Sequence, residues 1–206
     1  MAATPQPTPA ATPQPTATVT PQPTVAATPL ATSGLVATSP APSTSVTLVV
    51  GQPAPGPVGL VRSDGSPFRL ADEAGHPAIL FFGYTHCPDV CPETIATLLE
   101  VQRARPDVRI VFVTVDPERD TPEFLAEWTA YMSDGIVGVT GSPAAIRQAA
   151  DLYGVQYARV DTGSVGGYSM AHTAFQYLVD EDGSLVRIYP FATPPETIIG
   201  DLDALQ

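Results

Sequence analysis

The sequence predicts an α/β domain in which a central mixed sheet carries helices on both faces, preceded by a Pro/Thr-rich segment. From residue 78 onward, strand-like and helix-like patterns alternate, and this alternation is typical of a sheet covered by helices on both faces. The chain closes with a hairpin pattern and a helix, which adds antiparallel strands to the sheet. Before residue 46 the sequence is built almost entirely from Ala, Thr, Pro, Gln, Ser and Val.

Residues 1–45 are predicted to be a disordered spacer. No charged residue or histidine occurs before Arg62, and Thr-Pro-Gln-Pro-Thr occurs three times, starting at Thr4, Thr12 and Thr20. Proline at this density prevents helix formation and ladder pairing, and it favours extended backbone. Residues 46–206 are long enough for one domain with a hydrophobic core, and they carry the whole formal charge of -12. That acidity argues against binding to nucleic acid or to anionic lipid.

The sequence contains neither a secretory signal pattern nor a membrane-spanning run. A basic stretch followed by a long apolar one is missing after Met1, and no run approaches the roughly 20 apolar residues of a membrane span. A Pro/Thr-rich stalk is nevertheless typical of a tethered extracytoplasmic protein. We therefore expect an extracytoplasmic monomer, held at the outer face of the cell membrane by a tether that lies outside this chain.

The first elements of the domain are predicted to be short and extended. Residues 46–50 form a β-like segment that a Gly/Pro-rich stretch interrupts. Residues 58–62 and 68–70 then flank a Ser-Asp-Gly-Ser turn at 63–66. Extended runs on either side of such a turn predict an N-terminal β-hairpin.

The centre of the domain is predicted to be a strand, a helix and a second strand. Residues 78–83 are continuously apolar and predict a buried strand, and residues 88–104 predict a helix with proline only in its first turn. The clearest strand pattern follows at 108–115. A helix from Thr121 and Pro122 to about Met132 comes next.

The remaining elements complete the alternation. They are a strand at 136–139, a helix from Ser142 to Gly154, a brief pairing segment at 157–160, a Gly-rich loop at 161–167, strands at 174–179 and 185–189 around a tight turn at 180–183, and a helix at 196–205. This order is the layout of a thioredoxin-like domain with an N-terminal hairpin and an insertion.

The only two cysteines of the chain are predicted at the junction between a strand and a helix. Cys87 and Cys91 lie in Thr-His-Cys-Pro-Asp-Val-Cys-Pro, shortly after the strand at 78–83. Free N–H groups and the helix dipole stabilise negative charge at a helix N-terminus, so we expect this junction to favour thiolate. Within a helix the two residues share a face at i and i+4, which lets their sulfurs chelate one ion or form a disulfide.

Several uses of this cysteine pair are open. A disulfide that closes only five residues contributes about 2 kcal/mol at most through loop entropy, so a structural staple is not favoured. A closed zinc site generally has four ligands, whereas the chain has two cysteines and three histidines, one of them His76 in a turn pattern. Two thiolates and one imidazole suit Cu(I) and also accept Cu(II), so copper fits better. Disulfide exchange remains the alternative.

His172 is the candidate third ligand. It is predicted to lie in a loop just before the strand at 174–179, and in a thioredoxin-like layout that loop faces the helix N-terminus that carries the cysteines. Thiol oxidoreductases of this layout have a proline there, often cis, but no proline occurs between Pro143 and Pro190. A histidine in this place suits a metal site better than a disulfide-exchange site. Met170 is expected to pack rather than to bind the metal.

Other polar residues near the cysteines are assigned smaller roles. His86 is predicted to tune the thiolate electrostatically without binding the metal, and His76 is predicted to be a turn residue. The negative charges of Asp89 and of the loop at 116–120 are expected to raise the pKa of a nearby thiol. That loop is also a candidate docking segment, although ordinary helix capping is the preferred role for Asp120.

Three blocks of the sequence resemble the Sco/SenC family of copper-binding assembly proteins. The first is Phe-Gly-Tyr-Thr-His-Cys-Pro-Asp-Val-Cys-Pro at 82–92, which is highly specific. The second is Val-Asp-Pro-Glu-Arg-Asp-Thr-Pro at 115–122, and the third comprises His172, residues 177–180 and Gly183. The resemblance extends from about residue 51 to the C-terminus and leaves the spacer outside.

The resemblance implies a thioredoxin-like fold with a copper ion, Cu(I) or Cu(II), on Cys87, Cys91 and His172. It also implies work outside the cytoplasm, where the family delivers copper to the binuclear copper centre of cytochrome c oxidase or reduces its cysteines. The implied partner is the copper-binding subunit of that oxidase or another copper chaperone. Many members carry Asp where this chain has Ala171, so partner contact or behaviour towards Cu(II) is expected to differ here.

An enzymatic function is the alternative hypothesis. A thiol–disulfide oxidoreductase, or a peroxidase of the peroxiredoxin kind, would use Cys87 and Cys91 as its redox pair and would not need His172. Thiol exchange prefers two intervening residues and an opposing proline, and no arginine adjoins the cysteine motif in the sequence. The sequence therefore favours a metallochaperone over an enzyme.

Overall fold

The computed structural model describes residues 48–133, 135–163 and 167–205. The strands are β1 (Leu60–Arg62), β2 (Ala78–Gly83), β3 (Arg109–Thr114), β4 (Ile136–Gly141), β5 (Tyr157–Asp161), β6 (Tyr168–His172), β7 (Gln176–Val179) and β8 (Leu185–Tyr189). The helices are α1 (Val90–Ala104), α2 (Pro122–Met132), α3 (Pro143–Leu152) and α4 (Pro195–Asp203). The spacer predicted for residues 1–45 lies outside the described residues.

Six of the strands form one mixed sheet in the order β1-β4-β3-β2-β7-β8. β2, β3 and β4 run parallel to one another, whereas β1, β7 and β8 pair antiparallel with their neighbours. Every residue of β2 is buried, because a parallel strand covered on both faces needs a continuous apolar run. The sequence prediction of an α/β, thioredoxin-like fold with a central mixed sheet is confirmed.

Two adjacent phenylalanines of β2 show how the helices cover both faces of the sheet. Side chains alternate along a strand, so Phe81 and Phe82 point to opposite faces. The Phe81 ring lies 6.0 Å from Phe112, whose own ring lies 4.7 Å from Trp128 of α2. The Phe82 ring lies 5.5 Å from Tyr153, which directly follows α3. α2 therefore covers one face of the sheet and α3 covers the other.

Two helices begin where the sequence predicts. The Thr121 hydroxyl accepts a hydrogen bond from the backbone N–H of Phe124 at 3.3 Å, and the Ser142 hydroxyl accepts one from Ala145 at 3.2 Å. In both helices a proline follows the capping residue, where its missing N–H costs no intrahelical hydrogen bond. Among the described residues, the helices are too short or too polar to span a bilayer.

The N-terminal part of the domain is less regular than predicted. Residues 48–50 are not in a strand, so the β-like segment predicted at 46–50 is wrong in its described part. The turn after β1 is present, since Arg62 donates its N–H to Ser66 and Phe68 donates to Leu60. The segment that follows this turn makes only an isolated bridge to β1 at Pro67, because proline cannot donate to a ladder. The chain then enters a 3-10 turn at Leu70–Glu73.

β5 and β6 form a separate two-stranded antiparallel hairpin outside the six-stranded sheet. Tyr157 stands opposite His172 in its register, and Asp161 stands opposite Tyr168. The brief pairing predicted at 157–160 is present, but its partner strand β6 was not predicted. The next strand is predicted to begin at residue 174, whereas β7 begins at Gln176.

Candidate metal centre

The two cysteines lie on either side of the start of α1. β2 ends at Gly83, and residues 84–89, called here the cysteine loop, lead into the helix. Cys87 belongs to this loop, so the prediction that both cysteines stand on one helical face is wrong. Cys91 lies in the first turn of α1, and its backbone N–H donates to the Cys87 sulfur at 3.4 Å. The loop thus brings the two sulfurs together at the helix N-terminus.

A buried carboxylate holds the cysteine loop in place. Asp120 is fully buried, and its carboxylate accepts three hydrogen bonds: from the Thr85 N–H at 3.0 Å, the Thr85 hydroxyl at 2.6 Å and the Thr114 hydroxyl at 2.7 Å. Capping of α2 falls to Thr121 instead, so the prediction of a capping role for Asp120 is wrong. Asp120 ties the cysteine loop to the end of β3.

His172 reaches the cysteines from the β5–β6 hairpin. It is the last residue of β6, so the prediction that it lies in a loop is wrong, although the direction in which it faces is as expected. Its ring makes edge contacts with Phe81 at 6.3 Å and with Tyr84 at 5.9 Å between centroids. A strand residue packed against two aromatic rings has little rotational freedom, which suits a ligand that must be held ready.

The structure brings Cys87, Cys91 and His172 into one cluster. Their potential ligand atoms all lie within 4.8 Å of one another. The Cys91 sulfur and the His172 Nε2 atom are 3.5 Å apart. Among the described residues, this is the only group of three or more Cys, His, Asp or Glu side chains close enough to hold a metal ion. The three residues selected from the sequence are therefore neighbours in the fold.

The hydrogen bonds of His172 define which ring nitrogen is free. Its Nδ1 atom lies 3.1 Å from the carbonyl oxygen of Thr173, and a carbonyl oxygen can only accept. Nδ1 therefore carries the proton and Nε2 carries the lone pair that faces Cys91. Burial lowers the pKa of His172 and outweighs the opposing hydrogen bond to Thr173. The imidazole is thus held neutral, in the form that binds metals.

The two thiols differ in how readily they ionise. Burial opposes ionisation of Cys87, but hydrogen bonds from the N–H groups of Asp89 and Cys91, from the Cys91 thiol and from the Tyr84 hydroxyl together lower its pKa. Burial is also the main cause that raises the pKa of the Cys91 thiol, and the negative charges of Cys87 and Asp120 raise it further. The prediction that the junction favours thiolate therefore holds for Cys87 and is wrong for metal-free Cys91.

The chemistry of these ligand atoms fits copper. Two sulfurs and one imidazole nitrogen are soft or intermediate donors, which is the combination that Cu(I) prefers and Cu(II) accepts. In the metal-free chain, burial and the negative charge of Cys87 oppose a thiolate at Cys91. A bound metal ion would compensate the negative charge of that thiolate, because a coordinating thiol is deprotonated by the metal itself. The cluster opens into a surface groove of about 440 Å³ lined in part by Pro88, Met170 and Phe191, which gives a partner access.

The remaining candidates of the sequence analysis occupy different positions. The ring of His86 stacks on Phe124 at 5.5 Å, and its Nδ1 atom lies 2.9 Å from the Thr85 hydroxyl, so His86 is not part of the cluster. His76 lies in a turn before β2, at the opposite end of that strand from the cysteines. Met170 packs against the core and also lines the groove.

The contacts of four residues around the cluster were not predicted from the sequence. Tyr84 contacts His172 with its ring and the Cys87 thiol with its hydroxyl. Arg119, Asp116 and Tyr168 form a group beside it, in which the guanidinium of Arg119 pairs with Asp116 and lies 3.8 Å from the Tyr168 ring. Alternation of large and small residues from Tyr168 to His172 was the one signal in the sequence for β6.

Comparisons with known proteins identify relatives of this chain. The sequence model of the SCO1/SenC family matches residues 51–206. A SCO2-like protein of Rickettsia prowazekii is 34% identical over 137 residues, which cover 64% of this chain and 67% of that protein. The structure of Bradyrhizobium japonicum ScoI with copper bound is 35% identical with a TM-score of 0.66, and the match covers 77% of this chain and 100% of that one.

A second similar structure is that of a protein with a disulfide switch. BsSco is described as a member of the Sco family of cytochrome c oxidase assembly proteins with a disulfide switch. It is 26% identical to this chain with a TM-score of 0.57, and the match covers 74% of this chain and 92% of that one.

Proposed function

The chain belongs to the SCO1/SenC family, and from this premise we propose that it is a copper metallochaperone. Cys87, Cys91 and His172 are the proposed ligands. The single observation that carries the proposal is that the ligand atoms of these three residues lie within 4.8 Å of one another, although they come from two separate parts of the fold. The copper bound to the similar ScoI structure supports the choice of metal.

The site is suited to transfer of Cu(I) by ligand exchange. Cys87 is half-buried and lines the open groove, whereas Cys91 is buried beneath it. An incoming thiolate from a partner can therefore reach the metal from the side of Cys87. Replacing the ligands one at a time avoids a free copper ion, because each sulfur leaves only as another soft donor arrives.

The proposed setting follows from the family. We assign the chain to the extracytoplasmic side of the membrane, where it is tethered, and we take the copper-binding subunit of cytochrome c oxidase or another copper chaperone as its partner. Copper-loaded chain mixed with the reduced copper-binding domain of that subunit should lose copper to it. Retention of all copper by this chain would remove the partner assignment.

Copper titration of the reduced full chain tests the proposal. Cu(I) is added in competition with a chromophoric chelator, and Cu(II) is followed by its thiolate charge-transfer absorption. We expect one copper per chain, with lower affinity and altered absorption in His172→Ala. His76→Ala is the matched control, because His76 lies at the far end of β2, and it should bind as the parent does. A parent chain that retains no copper contradicts the chaperone function.

A thiol–disulfide reductase is the second candidate, and the unequal cysteines favour it. Cys87, with its lowered pKa, would attack a target disulfide and release one target thiolate. Cys91 would then displace the second target thiolate, leaving a Cys87–Cys91 disulfide. Turnover with a disulfide substrate and a thiol reductant should need both cysteines but survive His172→Ala. Copper binding with no turnover would reject this candidate.

A further inference from the structure

The hairpin that carries His172 has no backbone ladder to the sheet that carries the cysteines. β5 and β6 pair only with each other among the described strands. The distance between His172 and the sulfurs therefore depends on the short connection at 173–175 to β7 and on side-chain contacts between the hairpin and the rest of the domain. The largest set of polar contacts to β6 converges on one residue, Arg119, in the loop between β3 and α2.

Arg119 binds the hairpin at Tyr168, four residues before His172. Its Nε atom donates to the Asp116 carboxylate, and a terminal nitrogen donates to the carbonyl oxygen of Tyr168 at 3.1 Å. Its guanidinium carbon lies 3.8 Å from the centre of the Tyr168 ring. The Tyr168 hydroxyl in turn donates to Asp116 at 2.8 Å, which closes a group of three residues. Tyr168 and His172 lie on the same face of β6 because side chains alternate along a strand.

The same guanidinium also contacts the cysteine loop. It lies 5.6 Å from the centre of the Tyr84 ring. Tyr84 makes an edge contact with the His172 ring, and its hydroxyl contacts the Cys87 thiol and the backbone of Met170 in β6. Arg119 is thus in contact with the loop that holds Cys87 and with the strand that holds His172.

We propose that Arg119 is a positioning residue of the copper site, which sets the distance of His172 from the two cysteines by clamping β6 to the cysteine loop through Tyr168, Asp116 and Tyr84. The inference rests on the proposed function. The planar guanidinium of Arg119 suits this role, because it donates in two directions and stacks on a ring at the same time. An ammonium group does not do both.

Arg159 provides a matched comparison. Its guanidinium carbon lies 3.7 Å from the centre of the Tyr168 ring, as close as that of Arg119. Its ion-pair partner is Glu118 at 3.4 Å, and its side chain is largely exposed. Arg159 therefore shares the charge and the stacking of Arg119, whereas the bonds to Asp116 and to the Tyr168 carbonyl oxygen are those of Arg119.

Cu(I) affinities of the full chain test the proposal. Arg119→Met should lower the affinity about 10- to 100-fold, as removal of a residue that orients a metal ligand does. Arg159→Met should change it less than about threefold. In the His172→Ala background, Arg119→Met should have no further effect, because the clamp acts through His172. An equal effect of Arg119→Met with and without His172 overturns the proposal.

Arg119→Lys separates clamping from charge. Lysine keeps the positive charge near the thiolates but cannot bridge Asp116 and the Tyr168 carbonyl oxygen while stacking on the ring. We expect the affinity of Arg119→Lys to stay as low as that of Arg119→Met. Recovery of the parent affinity by lysine would show that the charge alone matters, and would overturn the positioning role.

Amide hydrogen exchange in the metal-free chain tests the positioning role of Arg119 independently of copper. Arg119→Met should speed amide exchange in β5 and β6 with little change in β2 and β3, and Arg159→Met should leave both regions near the parent rates. Unchanged hairpin exchange in Arg119→Met overturns the inference. If the parent binds no copper, the chaperone function fails, and this measurement alone decides whether Arg119 positions β6.

Discussion

The cysteines and the histidine of the candidate site are supported in different ways. The cysteine half, which comprises β2, the cysteine loop and α1, is built into the six-stranded sheet and is fixed by the buried Asp120 carboxylate. The histidine half, which comprises β5 and β6, is a separate hairpin that is attached by side-chain contacts and by the short connection at 173–175 to β7. Buried backbone ladders open only with global unfolding, whereas a peripheral hairpin can open locally at lower cost.

This difference assigns separate roles to the two halves. The sulfurs are placed by the stability of the whole domain, so substitutions in the cysteine half should lower the global free energy of unfolding. The position of His172 depends on the contacts of a hairpin outside that sheet, so substitutions in the histidine half should change local opening more than global stability. A ligand on a movable support suits a site that must take up a metal ion and give it away.

Removal of the Asp120 carboxylate should produce the largest loss of stability. Asp120→Ala leaves the Thr85 N–H and the Thr85 and Thr114 hydroxyls without their acceptor, and we expect the free energy of unfolding to fall by about 3 kcal/mol. Urea denaturation of the metal-free chain measures it. Asp203→Ala, which breaks an exposed ion pair with Arg105, should cost about 0.5 kcal/mol or less. Equal losses in the two variants would contradict the anchoring role.

Gly83→Ala should cause the second-largest loss of stability. A Cβ atom there would lie 3.0 Å from the Cys91 sulfur and equally close to the rings of Phe81 and Phe112. Overpacking of this kind costs about 2 kcal/mol, and displacement of the sulfur should also weaken copper binding. Urea denaturation and chelator competition measure the two effects.

Gly200→Ala is the control for that substitution. Gly200 lies in α4, and a Cβ atom added to it would meet no heavy atom within 4 Å beyond its own helix backbone and chain neighbours. Alanine is also favoured over glycine in a helix by about 1 kcal/mol. The control should therefore keep or raise stability and leave copper binding unchanged. Tolerance of alanine at both glycines would mean that the packing around Cys91 is loose.

The two cysteines should be alkylated at different rates. Cys87 is half-buried with a lowered pKa, whereas Cys91 is buried against His172 with a raised one. In the reduced, metal-free chain near neutral pH, we expect iodoacetamide to modify Cys87 at least about tenfold faster, which corresponds to about 1.4 kcal/mol. Mass spectrometry of the two sites measures the ratio. Equal rates would show that the site opens faster than it reacts.

The smallest loss in the global free energy of unfolding is expected for a substitution in the histidine half. Tyr168→Phe removes the hydroxyl that donates to Asp116 but keeps the ring between Arg119 and Arg159. We expect the free energy of unfolding to fall by about 1 kcal/mol or less, while amide exchange in β5 and β6 becomes faster. A global loss as large as that of Asp120→Ala would remove the distinction between the two halves.

The sequence predicted the cysteine half well because its signals are local. The continuous apolar run of β2, the capping residues Thr121 and Ser142 and the Cys-x-x-x-Cys spacing are all read over a few positions. The hairpin of the histidine half was predicted poorly, since β6 alternates large and small residues without the β-branched residues that mark a strand. The role of Asp120 was also missed, because two of its three donors belong to Thr85, which is 35 positions away in the sequence.

The sequence by itself therefore determined the fold class, the cysteine motif and the identity of the three proposed ligands. The tertiary structure decided that Cys91 and His172, which are 81 positions apart, lie 3.5 Å from each other. It also decided that only Cys87 is readily ionised and that His172 presents Nε2 to the cysteines. These properties depend on burial, on hydrogen-bond partners and on the contacts of a separate hairpin, which exist only once distant segments have packed together.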